Sequence, residues 1–254
     1  MNIYNDDCFN VFPKIENKTI DLFVLDLPYA NKDFGKCTAC KWDNTIDLDK
    51  MWVEIKRIMK PNAVILFYCN TKFGFSLIKS NMKWFRYDLI WKKSRKVGFL
   101  SANKMPLRQH ENIYVFKDKG GTYNPQKTEG KPYKMKEGGD INNNIYGNFK
   151  RRGNNKGDRH PTSIYPDTIE TTILEHNNPH KTLHRTQKPL SLCEWLIKTY
   201  SNEGDVVMDF TMGSGTTGEA CINTKRKFIG IELDKEIFEL AENRLNNKTN
   251  KEYK

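Results

Sequence analysis

The sequence contains little that would suit a secreted or membrane-embedded protein. Its longest apolar run, residues 63–69, is far too short to cross a bilayer. The first ten residues lack a charged start followed by an apolar stretch, so we expect no signal peptide and a cytoplasmic location. Nothing resembles a disulfide framework in the spacing of the six cysteines, which are Cys8, Cys37, Cys40, Cys69, Cys193 and Cys221.

Metal-binding patterns are equally scarce. Cys37 and Cys40 form a single C-x-x-C pair, and zinc would need two further ligands. Three histidines have suitable spacing, but Pro179 interrupts any helix that would align them; they are His176, His180 and His184. We therefore predict no metal site.

Positive charge is what the sequence has in excess. Lysine and arginine number 42 against 31 acidic residues, a formal net charge of +11. Such an excess favours a polyanionic partner, because phosphates neutralised by basic side chains release their counterions. A generally basic, lysine-rich proteome would give the same balance, so charge alone favours nucleic acid only modestly.

Apolar runs alternate with helix-like segments along the chain, which is typical of a mostly parallel sheet covered by helices. Strands are predicted over residues 20–26, 63–69, 84–91, 112–116, 205–210 and 227–231. Helices are predicted over residues 48–59, 73–82, 190–200, 213–222 and 235–245, the last capped by Asp234. We predict an α/β fold, with a Rossmann-like, mostly parallel twisted sheet and helices on both faces.

The segment 119–160 breaks this pattern. It holds ten basic and four acidic residues, eight of the sixteen glycines and seven asparagines, with almost no apolar periodicity. A basic stretch of this kind with isolated aromatics suits a mobile insert that faces nucleic acid. A solvated loop without a partner fits the local pattern equally well. We predict a target-recognition insert at 118–183, between a catalytic part at 1–117 and a cofactor-binding part at 184–254.

A glycine-rich turn follows the strand at 205–210. Gly213, Gly215 and Gly218 have G-x-G-x-x-G spacing, and Glu232 ends the next strand. This spacing also occurs in dinucleotide sites and in ordinary tight turns. Asp209 would repel a pyrophosphate and favour a positively charged cofactor, namely S-adenosylmethionine. Glu232 is able to accept hydrogen bonds from both hydroxyls of its ribose.

The residues Asp26-Leu27-Pro28-Tyr29 follow the strand at 20–26. An exocyclic amino nitrogen of adenine or cytosine is a poor nucleophile, and two acceptors on its hydrogens free its lone pair. Asp26 offers a carboxylate and Leu27 a backbone carbonyl, which Pro28 aims by holding Leu27 extended. Tyr29 offers a ring on which a flipped-out base would stack. Taken alone, the four residues also fit a proline-containing turn.

Together and in this order, the two motifs resemble the β class of S-adenosylmethionine-dependent DNA amino-methyltransferases. GFLSANKMPLRQHENIYVF, HRTQKPLSLCEWLIKTY and GIELDKEIFELAENRL extend the similarity over nearly the whole chain. The resemblance implies transfer of a methyl group from the cofactor to an exocyclic amine of double-stranded DNA. The acid at Asp26 resembles the adenine-specific pattern, whereas cytosine-specific relatives usually have serine there.

The resemblance also implies roles for individual residues. Asp26, Leu27, Pro28 and Tyr29 match the catalytic motif. Lys188 and Pro189 match the entrance of the helix that binds the methionine part of the cofactor, and Asp7 the acid that contacts its adenine. The other predicted cofactor-binding residues are Cys8, Asp26, Asp209, Phe210, Met212, Gly213, Ser214, Gly215, Thr216, Thr217, Glu232 and Leu233. The predicted DNA-binding residues are Lys104, Arg108, Lys150, Arg151 and Arg152.

The chain departs from the family pattern at three places. Leu27 stands where proline is usual, Thr211 where phenylalanine is usual, and Ala30 where glycine is common. The carbonyl of Leu27 survives the first change, so we expect activity to survive it. Beyond DNA, the resemblance allows a homodimer and a cognate restriction nuclease as partners. Nothing in the sequence reveals the recognition site.

Three other functions compete with this interpretation. Methylation of cytosine at its exocyclic amine needs the same chemistry. A nicotinamide-dependent oxidoreductase shares the glycine spacing, but Asp209 argues against it. A non-catalytic DNA-binding module on an inactivated scaffold is a third, against which the intact motifs argue. His110 and Glu111 form a further polar pair, for which we predict a structural hydrogen-bonding role, because methyl transfer from a sulfonium needs no strong base beforehand.

Overall fold

The computed structural model describes residues 1–30, 35–36, 44–126, 141–143, 147–149, 172–179, 182–183 and 187–252. Within these ranges, residues 141–143, 147–149 and 250–252 are described by their backbone alone. The chain forms two compact units. One consists of Met1–Asn124 with Thr172–Lys254, and the other of Pro125–Thr171. The predicted insert, 118–183, extends beyond the second unit at both ends.

Strands and helices alternate through most of the chain. In chain order the strands are β1 (Asn2–Asn5), β2 (Ile20–Leu25), β3 (Met59–Cys69), β4 (Phe85–Val97), β5 (Arg108–Phe116), β6 (Ile141–Asn143), β7 (Gly147–Phe149), β8 (Ile173–His176), β9 (Val206–Asp209) and β10 (Lys227–Glu232). The helices are α1 (Cys8–Val11), α2 (Leu48–Ile58), α3 (Thr71–Ser80), α4 (Leu190–Tyr200), α5 (Thr216–Asn223) and α6 (Lys235–Glu252).

Eight of these strands form one sheet in the order β1-β10-β9-β2-β3-β5-β4-β8. The first five of them are parallel, β5 is antiparallel to both of its neighbours, and β8 runs parallel to β4. The carboxyl ends of the parallel strands therefore share one edge, and β5 begins at that same edge. In the second unit, β6 and β7 form a separate antiparallel pair.

Both faces of the sheet are buried, because successive side chains of β2 and β3 point to opposite sides. Phe23 and Leu25 belong to one core cluster with residues of α2 and α3. Leu22 and Val24 belong to a second cluster with residues of α4, α5 and α6. The predicted sheet with helices on both faces is thus confirmed. Among the described residues, the helices are all too short or too polar to span a membrane.

Element boundaries differ from the predictions at strand ends and at the end of α6, which continues to Glu252 instead of ending at residue 245. β3 begins at Met59, includes Pro61, and pairs with Ile20 before a register shift. β4 and β5 run further toward their connecting loop than the predicted 84–91 and 112–116, because Val97 still pairs with Arg108. An isolated segment cannot reveal such pairing, which depends on the partner strand.

Several short elements were not predicted, among them β1, α1, β8 and the pair β6 and β7. β1 pairs with β10 and leads into α1, whose first turn is capped by Asp7. β8 lies inside the predicted insert but pairs with the outer edge of β4. Elements of four residues carry too little periodicity to be distinguished from loops, and the sheet itself stabilises them.

Candidate active site

A cavity of about 540 Å³ opens at the shared carboxyl edge of the parallel strands. It is bordered by the residues that follow β1, β2, β9 and β10, so Asp26 and Gly213 face the same space. Ligands of open α/β sheets bind at this edge, where the strand order reverses. Both sequence motifs therefore meet in one cleft.

Most of the residues predicted for catalysis and cofactor binding line this cavity. The exceptions are Leu27, Pro189 and Gly215. The side chain of Leu27 is buried in the core, and Pro189 is the N-cap residue of α4. Gly215 caps α5 in the left-handed conformation with φ of 75°, where an added Cβ would lie 3.2 Å from the Cβ of Ala241.

Hydrogen bonds to carboxylates shape the glycine turn. Asp209, at the end of β9, accepts from the Thr211 amide at 3.1 Å and from Thr217 Oγ1 at 2.7 Å. Gly213, with φ of 53°, donates its amide to Glu232 Oε2 at 2.9 Å. Two backbone N–H groups of this turn, those of Thr211 and Gly213, thus already have protein carboxylates as partners.

Asp209 is buried and Glu232 is half-buried, and burial changes the ionisation of both. Burial raises the pKa of Asp209 to about 7, although hydrogen bonds from Thr217 and Thr211 oppose the rise. Burial also raises the pKa of Glu232. The other oxygen of Glu232, Oε1, accepts from the amide of Asp234, which fixes the carboxylate at the rim of the cavity.

Asp6 and Asp7 border the cavity beside β10. Asp7 caps α1 by accepting from the Phe9 amide at 2.8 Å. Asp6 accepts from the Asp7 amide and from Asn10, and the hydrogen bonds from Asn10 and Asp7 lower the pKa of its carboxyl. Phe9 adds an apolar surface to the same wall. A flat, polar heterocycle would find both acceptors and an apolar contact here.

The charges around the cavity select the kind of cofactor. Among the lining residues in the described ranges, six are acidic and Lys188 alone is basic; the acids are Asp6, Asp7, Asp26, Asp209, Glu232 and Asp234. Such a lining repels phosphate groups and attracts positive charge. The arrangement fits a cationic nucleoside cofactor and disfavours the nicotinamide dinucleotide of the oxidoreductase alternative.

Asp26, which ends the first predicted strand and starts the predicted catalytic motif, takes part in an ion pair that the sequence did not predict. Lys188 Nζ lies 2.5 Å from Asp26 Oδ2 and 4.9 Å from the centre of the Tyr68 ring. The resemblance implied a place for Lys188 beside the cofactor, and the structure pairs it with the predicted catalytic acid. Burial alone would lower the pKa of Lys188, but the carboxylates of Asp26 and Glu111 raise it above its usual range.

Tyr29 connects this ion pair to β5. Its hydroxyl lies 2.5 Å from Glu111 Oε1 and 3.1 Å from Asp26 Oδ1, and its ring stacks on Phe73 at 5.4 Å. Burial raises the pKa of Tyr29 well above its usual range, as do the neighbouring Asp26 and Glu111. The hydroxyl therefore keeps its proton and acts as a donor.

Glu111 also belongs to this cluster, although the sequence predicted only a structural hydrogen-bonding role for it. Only 10% of its side chain is exposed, and its carboxylate lies 2.9 Å from Lys93 Nζ and 3.4 Å from Lys188 Nζ. Burial would raise its pKa, but Lys188 and Lys93 together hold it at about 2. One available signal was the acid itself, which lies in β5 only two positions before the apolar run of residues 113–116.

The predicted DNA-binding residues fall into two groups. Lys104 is exposed in the loop between β4 and β5, and Arg108, which starts β5, donates to Thr71 Oγ1 at 3.0 Å. The other three, Lys150, Arg151 and Arg152, lie outside the described residues, as do Cys37, Cys40, His180 and His184. Within the described ranges, no three histidine, cysteine or acidic residues are grouped as metal ligands.

Comparisons with known proteins agree with this geometry. A family model described as DNA methylase, of the N6/N4 type, matches residues 20–243. The type II methyltransferase M.HpaI of Haemophilus parainfluenzae is 26% identical over 243 residues, covering 93% of this chain and 71% of its own.

Two solved structures share the fold at low sequence identity. The M1.HpyAVI–SAM complex superposes with a TM-score of 0.63 at 24% identity, covering 96% of this chain and 99% of that one. The PvuII DNA methyltransferase, described as cytosine-N4-specific, superposes with a TM-score of 0.65 at 14% identity, covering 98% of this chain and 90% of that one. At these identities the likeness concerns the fold alone.

Proposed function

Because the chain belongs to the family of N6/N4 DNA methylases, we propose that its target is the exocyclic amino group of adenine in double-stranded DNA. The single observation that carries methyl transfer to an exocyclic amine is the common cavity of Asp26 and the glycine turn at Gly213. Methyl transfer in line requires the amine and the methyl donor to be held together, and positioning supplies much of the rate.

The family's cofactor is S-adenosyl-L-methionine, which supplies a methyl group on a positively charged sulfur. In this chain Asp209 and Glu232 would hold the cationic and ribose parts, and Asp6 and Asp7 would receive the adenine. The support for this arrangement is the acidic lining and the occupied amides of the turn. Each of these residues binds or orients, and none of them needs to move a proton before the transfer.

Asp26 is the proposed acceptor for one amino hydrogen of the target base. Its side chain retains 28% exposure and lines the cavity, although Lys188 takes one of its oxygens. Leu27 would supply the second acceptor through its backbone carbonyl, and Tyr29 and Pro28 would border the flipped-out base. The preference for adenine over cytosine rests on an acid at position 26, where cytosine-specific relatives of this family usually have serine.

Transfer to DNA is tested directly with methyl-labelled cofactor and plasmid DNA from a methylation-free host. We expect label in the DNA and N6-methyladenine among its nucleosides. N4-methylcytosine instead would show the runner-up specificity. Binding of both DNA and cofactor without any label would favour the non-catalytic scaffold. Sequencing that maps modified bases would then give the recognition site.

Cofactor affinity should depend on pH through Asp209. A bound cation favours the ionised carboxylate, so affinity rises as pH passes through the raised pKa of Asp209, about 7. Between pH 6 and pH 8 we expect the Kd for S-adenosylmethionine to fall about 10-fold, the change in the ionised fraction of one group. Titration calorimetry measures it.

The control for this dependence is Asp209→Asn, which keeps an acceptor for Thr217 but cannot ionise. The Kd of this variant should be higher than that of the wild type and nearly constant over the same pH range. A variant that retains the full wild-type dependence would assign it to another group, and the neighbouring acids with raised pKa values are Asp26 and Glu232.

The loop between β4 and β5 is the proposed part of the main unit that faces DNA. It projects from the edge where the cavity opens, and it carries Lys104 and two exposed apolar side chains, Phe99 at 77% and Leu100 at 87%. Arg108 follows the loop directly as the first residue of β5. Exposed apolar side chains mark an interaction site, and the basic side chains beside them suit the phosphates of a DNA duplex. The insert at 118–183, with Lys150, Arg151 and Arg152, is proposed to read the target sequence.

Removing Lys104 and Arg108 should weaken binding to any duplex. We expect the double alanine variant to reduce the slope of log affinity against log salt concentration by about 2, because two phosphate contacts are lost. Fluorescence anisotropy with a mixed-sequence duplex measures the slope. Lys225 and Lys227, exposed at the opposite edge of the sheet, provide the matched double variant, which should leave the slope unchanged. Equal slopes for both variants would place the DNA elsewhere.

The partners and the division of the chain form the remaining part of the proposal. The parts 1–117 and 184–254 together would carry catalysis and cofactor binding. The family resemblance adds a homodimer and a cognate restriction nuclease. Light scattering of the purified protein tests the dimer, since a mass of 29.8 kDa would indicate a monomer.

A further inference from the structure

Four charged side chains and one hydroxyl form a cluster around Asp26. Asp26 and Glu111 carry the negative charges, Lys93 and Lys188 the positive ones, and Tyr29 lies between the two carboxylates. The charges balance within the cluster, which allows it to be buried. The proposed function uses Asp26 and the ring of Tyr29, and leaves Glu111 and Lys93 without a role.

The Tyr29 hydroxyl has one proton and two carboxylates within reach. Its contact with Glu111 Oε1 is 2.5 Å, whereas its contact with Asp26 Oδ1 is 3.1 Å. Hydrogen bonds to an ionised acceptor shorten as they strengthen, so the shorter contact identifies Glu111 as the principal acceptor. Lys93 fixes the other oxygen of Glu111 at 2.9 Å, which holds the carboxylate in this orientation.

Asp26 is the group that benefits from this arrangement. An acceptor in the active site loses strength for a substrate N–H when protein donors already occupy its lone pairs. Lys188 approaches Asp26 Oδ2, but it also lies 3.4 Å from Glu111 Oε1 and so divides its attraction between two acids. Tyr29 is the second competing donor.

We propose that Glu111 is a positioning residue, which draws the Tyr29 hydroxyl and shares Lys188 so that the Asp26 carboxylate stays available to the target amine. This inference rests on the proposed function, since it concerns the availability of the same catalytic acid. Without Glu111, the hydroxyl of Tyr29 would turn to Asp26 Oδ1 and Lys188 would pair with Asp26 alone. The target amine would then compete with two internal donors.

Glu111 acts here as an acceptor of a hydrogen bond and not of a proton. Its pKa of about 2, set by Lys188 and Lys93 against its burial, keeps it ionised throughout the range in which proteins function. The proton released by the methylated amine therefore has no reason to end on Glu111.

A double-mutant cycle between Glu111 and Tyr29 tests the inference. The variants are Glu111→Gln, Tyr29→Phe and their combination, assayed by initial rates of methyl transfer from labelled cofactor to plasmid DNA. Glu111→Gln keeps an amide oxygen but removes the negative charge, so it holds the Tyr29 hydroxyl more weakly and no longer shares Lys188 with Asp26. It should lower the rate about 30-fold, the equivalent of one strong hydrogen bond. In the Tyr29→Phe background, where the competing hydroxyl is absent, the same change should cost less than about 5-fold.

A second measurement separates this role from a merely structural one. Glu111 raises the pKa of Asp26, together with burial and against Lys188. The acidic limb of the rate profile should therefore move to lower pH in Glu111→Gln, while the Kd for the cofactor stays within about 2-fold of wild type. The other charged groups around Asp26 are Lys188 and, across the cavity, Asp209, and both are unchanged in this variant.

Two results would overturn the inference: equal fold losses for Glu111→Gln in both backgrounds, or an unchanged rate in the single variant. If Glu111→Gln does not fold, Lys93→Met replaces it in the cycle, because it frees one oxygen of Glu111 and should lower the rate in a way that Tyr29→Phe relieves. Wild-type protein that transfers no methyl group to DNA would instead refute the proposed function itself.

Discussion

Replacing Asp26 by alanine is expected to reduce methyl transfer to DNA by about 1000-fold, the scale of losing a principal charge-stabilising contact at the reacting group. The proposed second acceptor, the carbonyl of Leu27, remains in this variant, but one amino hydrogen loses its partner. The cofactor site on the far wall contains Asp209 and Glu232 and is unaltered, so binding of S-adenosylmethionine should change by less than about 3-fold. Initial rates with labelled cofactor, and calorimetry for binding, give the two numbers.

Two further variants define what this result means. Asp49→Asn changes an exposed acid on α2 and should leave both the rate and the cofactor affinity unchanged. Asp26→Asn keeps an oxygen acceptor without the charge and should fall between alanine and wild type. More than a tenth of the wild-type rate in Asp26→Ala would exclude this carboxylate as the acceptor for the target amine.

Replacing Lys188 by methionine is expected to have the largest effect on stability. The ammonium lies between Asp26 and Glu111, and its side chain is only 12% exposed. Removing one partner of a buried ion pair leaves an uncompensated charge, so the free energy of unfolding should fall by about 3 kcal/mol at pH 8. Urea denaturation followed by tryptophan fluorescence measures it.

The loss in Lys188→Met should shrink as the pH falls. In wild type, the pKa of Glu111 is lowered to about 2, so its contribution is present above the pKa of the unfolded state and is lost only as the pH falls through 2. Without Lys188 the two carboxylates repel each other, and the folded state takes up a proton more readily than the unfolded state does. Stability lost at pH 8 is therefore partly regained near pH 5.

A surface lysine provides the comparison for this prediction. Lys235 lies 3.9 Å from Glu239 on α6, and its side chain is 80% exposed. Lys235→Met should change the free energy of unfolding by less than about 0.5 kcal/mol at either pH, because exposed ion pairs contribute little. A similarly small change in the free energy of unfolding of Lys188→Met would mean that water screens the charges of Asp26 and Glu111 as fully as it screens charges on the surface.

Much of the architecture could be predicted because its signals are local. The strand at Ile20–Leu25 and the helix at Leu190–Tyr200 are apolar runs of the right length with clear boundaries. The glycine turn was predicted from spacing, and the choice of cofactor from the charge of Asp209. These features depend on residues that are neighbours in sequence, and the sheet then brings the strand ends together by rule.

Other features depend on partners far away in the chain. Lys188 was expected beside the cofactor, yet its ammonium is paired with an acid 162 positions earlier. Glu111 was assigned a structural role next to His110, and the structure places its carboxylate against Tyr29, Lys93 and Lys188. β5 brings it there because this strand runs antiparallel and so begins, rather than ends, at the edge of the cavity.

The α/β class, the order of the two motifs and the charge of the cofactor that they suit follow from the chain's local patterns, because each depends on periodicity, spacing or the identity of a single residue. The side chains that surround Asp26 follow only from the way the chain folds. That set depends on the direction of β5 and on the burial of four charges that must neutralise one another. Neither has a local signature, because a charge buried by folding is compensated by whatever the fold places beside it.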